Sequence, residues 1–123
     1  MIDLHTHTTA SDGLYAPCDL VARAAAAGVS VLSVTDHDTV AGCAPAAGAC
    51  RARGMAFVPG IEMTAVREGA DVHVLGYFVD VECHELGLAV RAAQRRHRIE
   101  IMRPDDEIAA GQRDHHDNYD THL

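Results

Sequence analysis

Hydrophobic and polar positions change period several times along the chain, and each change marks an element. At the N-terminus Ile2 and Leu4 alternate with Asp3, His5 and His7, which predicts a strand over residues 1–8 with both histidines on one face. The turn-forming Ser11-Asp12-Gly13 ends it. Pro17 stands where a first helical position would be, Leu20, Val21, Ala24 and Ala27 follow at helical spacing, and Gly28 supplies a stop. The apolar run over residues 29–35 predicts a buried parallel strand that delivers Thr35-Asp36-His37-Asp38 at its C-terminal end. Thr39 is placed to cap an Ala-rich helix reaching Arg53, in which Gly42, Pro45 and Gly48 predict a kink or a break. Residues 57–62 form a third apolar strand with Glu62 at its end, and residues 63–66 and 72–79 predict a hairpin joined by a longer loop.

Over residues 84–102 the positions Leu86, Ala89, Val90, Ala93, His97 and Ile101 keep a 3.6-residue period, an amphipathic helix that Pro104 would end. Strands alternating with helices indicate an α/β architecture. In barrels of that class the chemistry collects at the C-terminal ends of the strands, where the polar groups cluster here. Residues 103–123 break the pattern: six acids and two arginines give them a net charge of -4 with little apolar periodicity. The chain is therefore expected to divide into a folded domain, residues 1–102, and an acidic, disordered tail, residues 103–123.

Composition narrows the function. A chain of 123 residues has room for one domain, and a hydrophobic fraction of 48% with 4% aromatics calls for a core of Ala, Val, Leu and Ile. The net charge of -8 argues against a stable nucleic-acid complex, which would rest on Lys and Arg. A bound metal could reverse that sign locally. Nine histidines against ten basic residues point to metal chemistry. The cysteines Cys18, Cys43, Cys50 and Cys83 form no C-x-x-C pair, and no secretory leader precedes them; reduced thiols in a cytoplasmic protein are expected. No apolar run approaches the roughly 18 residues needed to cross a bilayer, so no membrane association is expected.

His5 and His7 form an H-x-H pair at a strand end, and Asp12, His37, Glu62 and His73 each stand at or near the end of a predicted strand. These six imidazoles and carboxylates exceed what a single tetrahedral ion needs, so two or three divalent ions are expected. Nitrogen and oxygen ligands without thiolate suit Mn, Fe or Zn. Glu62 is the candidate bridge between ions. Such a site lowers the pKa of a water toward about 7 and holds phosphoryl oxygens, with no need of a Ser or Cys nucleophile.

Asp3-Leu4-His5-Thr6-His7-Thr8 with Ser11-Asp12-Gly13, Thr35-Asp36-His37-Asp38, Gly60-Ile61-Glu62 and His73-Val74-Leu75-Gly76-Tyr77 together resemble the successive N-terminal motifs of the PHP (polymerase and histidinol phosphatase) family. Within it the chain looks most like the stand-alone bacterial phosphoesterases that act on nucleoside 3′,5′-bisphosphates or short RNA. The resemblance implies the N-terminal portion of a distorted seven-stranded β/α barrel. It implies His5, His7, Asp12, His37, Glu62 and His73 as ligands of two or three divalent ions, manganese before zinc, iron or magnesium. Asp12, His37 and Glu62 would also serve catalysis, and the substrate would be a small phosphorylated molecule, a nucleotide or oligonucleotide.

The resemblance covers about residues 1–102, whereas family members are longer and complete their site with further histidines and a late Asp-x-His motif. Asp120-Thr121-His122 has that form but follows His73 by only 47 residues and lacks a preceding apolar strand. The expectation is therefore an incomplete barrel. Three alternatives stand beside the phosphoesterase: a truncated fragment that only binds metal, a module that completes its barrel with another chain, and a histidinol-phosphate phosphatase-like activity. Asp36 and Asp38 are expected either behind the ligands or as cap and solvated residues. His84 and His97 read as cap and core residues, and His115 and His116 as idle. Arg91, Arg95 and Arg98 share a helical face that could meet a substrate phosphate, although such charge runs are usually solvated, and Cys43 and Cys50 suit buried helix positions.

Overall fold

The computed structural model describes residues 1–101, with side chains described as far as Arg95. The predicted tail, Pro104, Asp120-Thr121-His122, His115 and His116 lie outside the described residues, as do the side chains of His97 and Arg98.

The elements run β1 (Ile2–Asp3), α1 (Pro17–Ala26), β2 (Val31–Val34), α2 (Cys43–Ala52), β3 (Ala56–Arg67), β4 (Ala70–Tyr77) and α3 (His84–Ile101). The strands form one sheet in the order β1-β2-β3-β4. The first three are parallel and β4 returns antiparallel to β3. This is an α/β fold in which each parallel connection carries a helix, as parallel strands require.

α1 begins with Pro17 at its first turn, where a missing N–H costs nothing, and Asp19 there faces the positive end of the helix dipole. Both α1 and α2 stop by the same device. Gly28 and Gly54 take the left-handed backbone at φ 85° and 68°. The next residue donates back into the helix, Val29 N–H to the Ala24 carbonyl and Met55 N–H to the Cys50 carbonyl, each at 3.0 Å. Val29 and Met55 are themselves buried, so each helix end turns the chain straight into the core and the following strand.

That core lies between the two helices and one face of the sheet. Val21, Val29, Leu32, Val34, Ala46, Ala49, Cys50 and Met55 are buried together, with Leu20, Ala24, Ala25 and Phe57 against them. Ala-rich helices can approach closely, which is how so few large side chains close a core. Ser33 and Thr35 alternate with Leu32 and Val34, and they are also fully buried, on the opposite face.

Three boundaries differ from the sequence pattern. Regular β1 ends at Asp3; beyond it the chain still runs beside β2, with Thr35 N–H donating to the Thr6 carbonyl at 2.8 Å and Thr6 Oγ1 to the Ser33 carbonyl at 2.7 Å. α2 starts after Gly42 rather than Thr39, because Pro45 is tolerated only in a first turn; Gly48 then sits inside an unbroken helix. The hairpin turn is two residues, Glu68 and Gly69, both left-handed, so β3 runs on to Arg67 and β4 starts two residues earlier than the apolar runs suggested. No described helix is long and apolar enough to cross a membrane.

Candidate metal centre

Each candidate ligand reaches the site by a different route. His37 and Glu62 come side by side because the β2–β3 pairing resumes after a gap: the two form a parallel bridge, with Glu62 N–H on the Asp36 carbonyl at 3.1 Å and Asp38 N–H on the Glu62 carbonyl at 2.9 Å. On β4, His73 faces Thr64 while Leu75 faces Glu62, so His73 and Glu62 are diagonal neighbours on one face of the hairpin. His5 and His7 lie on the extended segment after β1. Asp12 sits in the loop that follows, which is wound round Thr8: its carbonyl accepts from Ser11 N–H at 3.1 Å and Gly13 N–H at 2.9 Å.

The six groups meet around Glu62. Its Oε2 lies 3.0 Å from His5 Nε2, 3.1 Å from His7 Nε2 and 3.7 Å from His37 Nδ1, and its Oε1 lies 3.2 Å from His73 Nδ1. Asp12 closes the other side, with Oδ1 3.2 Å from His7 Nδ1 and Oδ2 3.4 Å from His37 Nε2. The Glu62 side chain is only 8% exposed and Asp12 is 65% exposed, so Glu62 forms the floor and Asp12 the rim.

Three groups result, each with ligand atoms within 4.8 Å of one another: His5, His7 and Glu62; His7, Asp12 and His37; His37, Glu62 and His73. Every pair of groups shares one residue, respectively His7, His37 and Glu62. A neutral imidazole has one lone pair and serves one ion, so of the three shared residues only Glu62, with two carboxylate oxygens, could serve two neighbouring ions.

The donor set fits divalent cations. His5 Nε2, His7 Nε2 and Glu62 Oε2 form a triangle with sides of 3.0, 3.1 and 3.1 Å. Bonds of about 2.1 Å meeting between right and tetrahedral angles put ligand atoms about 3.0–3.4 Å apart. His7 Nδ1 is buried and makes no hydrogen bond, since Asp12 Oδ1, though near, lies outside hydrogen-bonding direction. A buried nitrogen without a partner is costly unless something else takes its lone pair. Burial pushes the His7 imidazole below its ordinary pKa, and His37 and His5 add to this against the opposing pull of Asp12 and Glu62. His7 is thereby held in the neutral form that ligates metals.

The residues on either side of His37 have roles that spacing did not disclose. Asp36 does not orient an imidazole and is not solvated; it is fully buried, and its oxygens bind Thr8 and Ser11. Asp38 is left-handed at φ 51°; its Oδ1 accepts from Thr64 N–H at 2.8 Å and its carbonyl accepts from Gln94 Nε2 at 2.8 Å, tying the His37 loop to β3 and α3. The signal available was the pair of acids flanking a histidine at a strand end. His84 opens α3 and belongs to none of the three groups, and Arg91 and Arg95 are exposed on α3. Cys43 and Cys50 are buried on α2, and burial raises both thiol pKa values, which suits packing rather than nucleophilic chemistry.

The family model described as the PHP domain matches residues 3–116. The chain is 42% identical, over 105 residues, to the 5′-3′ exoribonuclease Rnm of Escherichia coli, covering 81% of this chain and 36% of that protein. It is 40% identical, over 79 residues, to the 3′,5′-nucleoside bisphosphate phosphatase of Chromobacterium violaceum, covering 64% of this chain and 28% of that one. Among solved structures it superposes on an amidohydrolase from Chromobacterium violaceum with bound sulfate and no metal, at a TM-score of 0.74 and 36% identity, over 80% of this chain and 34% of the other. The chain thus spans about a third of the length of these relatives.

Proposed function

The chain belongs to the PHP domain family, and from that premise we propose that it carries the metal-binding part of a phosphoesterase that hydrolyses a nucleotide or short oligonucleotide. The observation that supports this reading is the convergence of six imidazole and carboxylate side chains, in three overlapping groups, about the buried Glu62 carboxylate. His5, His7, Asp12, His37, Glu62 and His73 would hold two or three divalent ions, manganese foremost. Such ions, when bound, activate a water at neutral pH and offset the charge of phosphoryl oxygens.

The chain's own residues prepare the site for that. Glu62 offers one carboxylate oxygen to the His5 and His7 side and the other to the His73 side, and is the residue that would hold two ions together. Asp12 and Glu62 are the only carboxylates in the three groups, and with two divalent ions the centre carries an excess of positive charge suited to a phosphate dianion. Glu62 is buried at the base of the cluster, while the exposed Asp12 leaves the mouth open to a substrate. The substrate class is supported by the relatives, two of which are named for ribonucleotide and nucleoside bisphosphate chemistry.

The test is phosphate release from a nucleoside 3′,5′-bisphosphate by the purified chain with Mn²⁺, with a short 5′-phosphorylated RNA and histidinol phosphate in parallel. Release that disappears in His7→Ala and Glu62→Ala supports the reading. Absence of turnover with any divalent metal removes it. A second reading, metal binding without turnover, rests on the same six ligand side chains. Calorimetric Mn²⁺ binding unaccompanied by phosphate release would establish it.

A further inference from the structure

Asp36 is the buried charged group that the metal reading leaves unused. Its side chain is fully buried, and among the described residues no Arg or His nitrogen lies within ion-pair distance of it. A carboxylate in that position must recover by hydrogen bonding what it loses from water. All of its partners come from one loop: Oδ1 accepts from Thr8 N–H at 2.6 Å and from Ser11 Oγ at 2.7 Å, and Oδ2 accepts from Thr8 Oγ1 at 2.7 Å. Thr8 is likewise fully buried. Gly42, at the start of α2, closes the other side; a Cβ there would come within 2.5 Å of Asp36 Oδ2 and 2.9 Å of Thr8 Oγ1.

The sequence positions give this contact its consequence. Asp36 is the residue before His37, Thr8 is the residue after His7, and Ser11 is the residue before Asp12. One side chain therefore joins the segments that carry all members of the group His7, Asp12 and His37. The other two groups each share one residue with it, His7 or His37, but take Glu62 from strand pairing and so depend on this contact less.

We propose that Asp36 is a positioning residue: it clamps the loop over residues 8–11 to the end of β2, so that His7 and Asp12 face His37, without itself touching the ion. The inference rests on the metal reading above, but the clamp exists in the metal-free protein and can be tested there. The experiment compares the full chain with Asp36→Asn, Ser11→Ala and the core control Val21→Ala. Free Mn²⁺ is followed by electron paramagnetic resonance during titration, and amide exchange at Thr8 is followed without metal.

Asp36→Asn replaces an acceptor with a donor opposite Thr8. The Mn²⁺ site that takes Asp12 is expected to weaken most, by about 10- to 100-fold, with smaller losses at any site that uses His7 or His37, the scale of effect of outer-layer partners on metal sites. Ser11→Ala should weaken the same site about tenfold, the equivalent of one hydrogen bond to a charged acceptor. Val21→Ala should lower the melting temperature and leave every affinity unchanged. Exchange at the Thr8 amide should accelerate in Asp36→Asn alone. Unchanged Mn²⁺ affinities in Asp36→Asn, or an equal loss at every site, would overturn the proposal. If the unaltered chain binds no Mn²⁺, the metal reading fails by itself, and unaltered Thr8 exchange in Asp36→Asn would then overturn the clamp separately. If Asp36→Asn does not fold, Ser11→Ala carries the test: weakening of one site supports the clamp, and no weakening overturns it.

Discussion

On one face of β2, Leu32 and Val34 are fully buried among the side chains of α1 and α2; on the other, Ser33 and Thr35 are buried as completely. The first face is apolar and filled by dispersion and the exclusion of water. The second is polar, and each group on it needs a named partner: Thr35 Oγ1 donates to the Thr6 carbonyl at 3.3 Å, Thr8 and Ser11 donate to Asp36, and Ser33 Oγ has none. Burial alone therefore does not distinguish a stabilising face from a functional one. Partner identity does. A face that must collect carboxylates and imidazoles contributes little to stability without cations, and the helix-covered face has to offset that.

The contrast can be broken most severely from the apolar side. Leu32→Ala should destabilise the protein by about 2–5 kcal/mol, from lost transfer energy and a residual cavity. Urea unfolding would measure it, and Mn²⁺ affinity below the new melting point should be unchanged. On the polar side, Glu62→Gln should abolish the rise in melting temperature that saturating Mn²⁺ produces, a rise worth about 2.7 kcal/mol at a hundred times the dissociation constant. Removing the ions with a chelator should then lower the melting temperature of the unaltered chain and leave Glu62→Gln where it was. In the absence of metal, Glu62→Gln should melt at or above the unaltered chain, because a buried carboxylate has been neutralised.

His73→Ala should have a smaller effect. It removes a half-exposed ligand from one group only, so one Mn²⁺ site should weaken while the two groups that include His7 persist. Counting bound Mn²⁺ against concentration would separate this from a uniform loss. The smallest change is expected at Arg23, whose guanidinium lies 4.0 Å from the centroid of the Tyr15 ring on the outer surface of α1. Arg23→Ala should cost about 0.5–1 kcal/mol, with metal binding unaltered. A larger effect on metal affinity than on stability would show that the two sides are coupled through the loop carrying Asp12.

Much of the fold was legible before any coordinates. α1 and α3 follow from periodicity and from Pro17 and His84 at their starts, and the parallel strands follow from apolar runs bounded by Gly28 and Gly54. The predicted gap between the hairpin strands was too long, because Glu68 and Gly69 suffice for a turn whose flanking residues, Arg67 and Ala70, still pair. Polar residues on a two-stranded hairpin do not announce pairing. The strand expected over residues 1–8 placed His5 and His7 together by alternation. Their Nε2 atoms do converge, at 3.1 Å, but on an irregular segment past the end of β1. Asp38 was unreadable for a related reason: its left-handed backbone and its bond to Thr64 arise from where β3 passes.

By itself the sequence determined the order of elements and the residue types gathered at the strand ends, because helix period, strand alternation and stop signals act within a few residues of one another. Only the tertiary structure decided which groups share an ion-sized space, that Glu62 lies beneath the imidazoles, and that Asp36 holds the loop between His7 and Asp12. Those outcomes depend on the register between segments 25 to 57 residues apart, and register is set by how whole strands and helices pack.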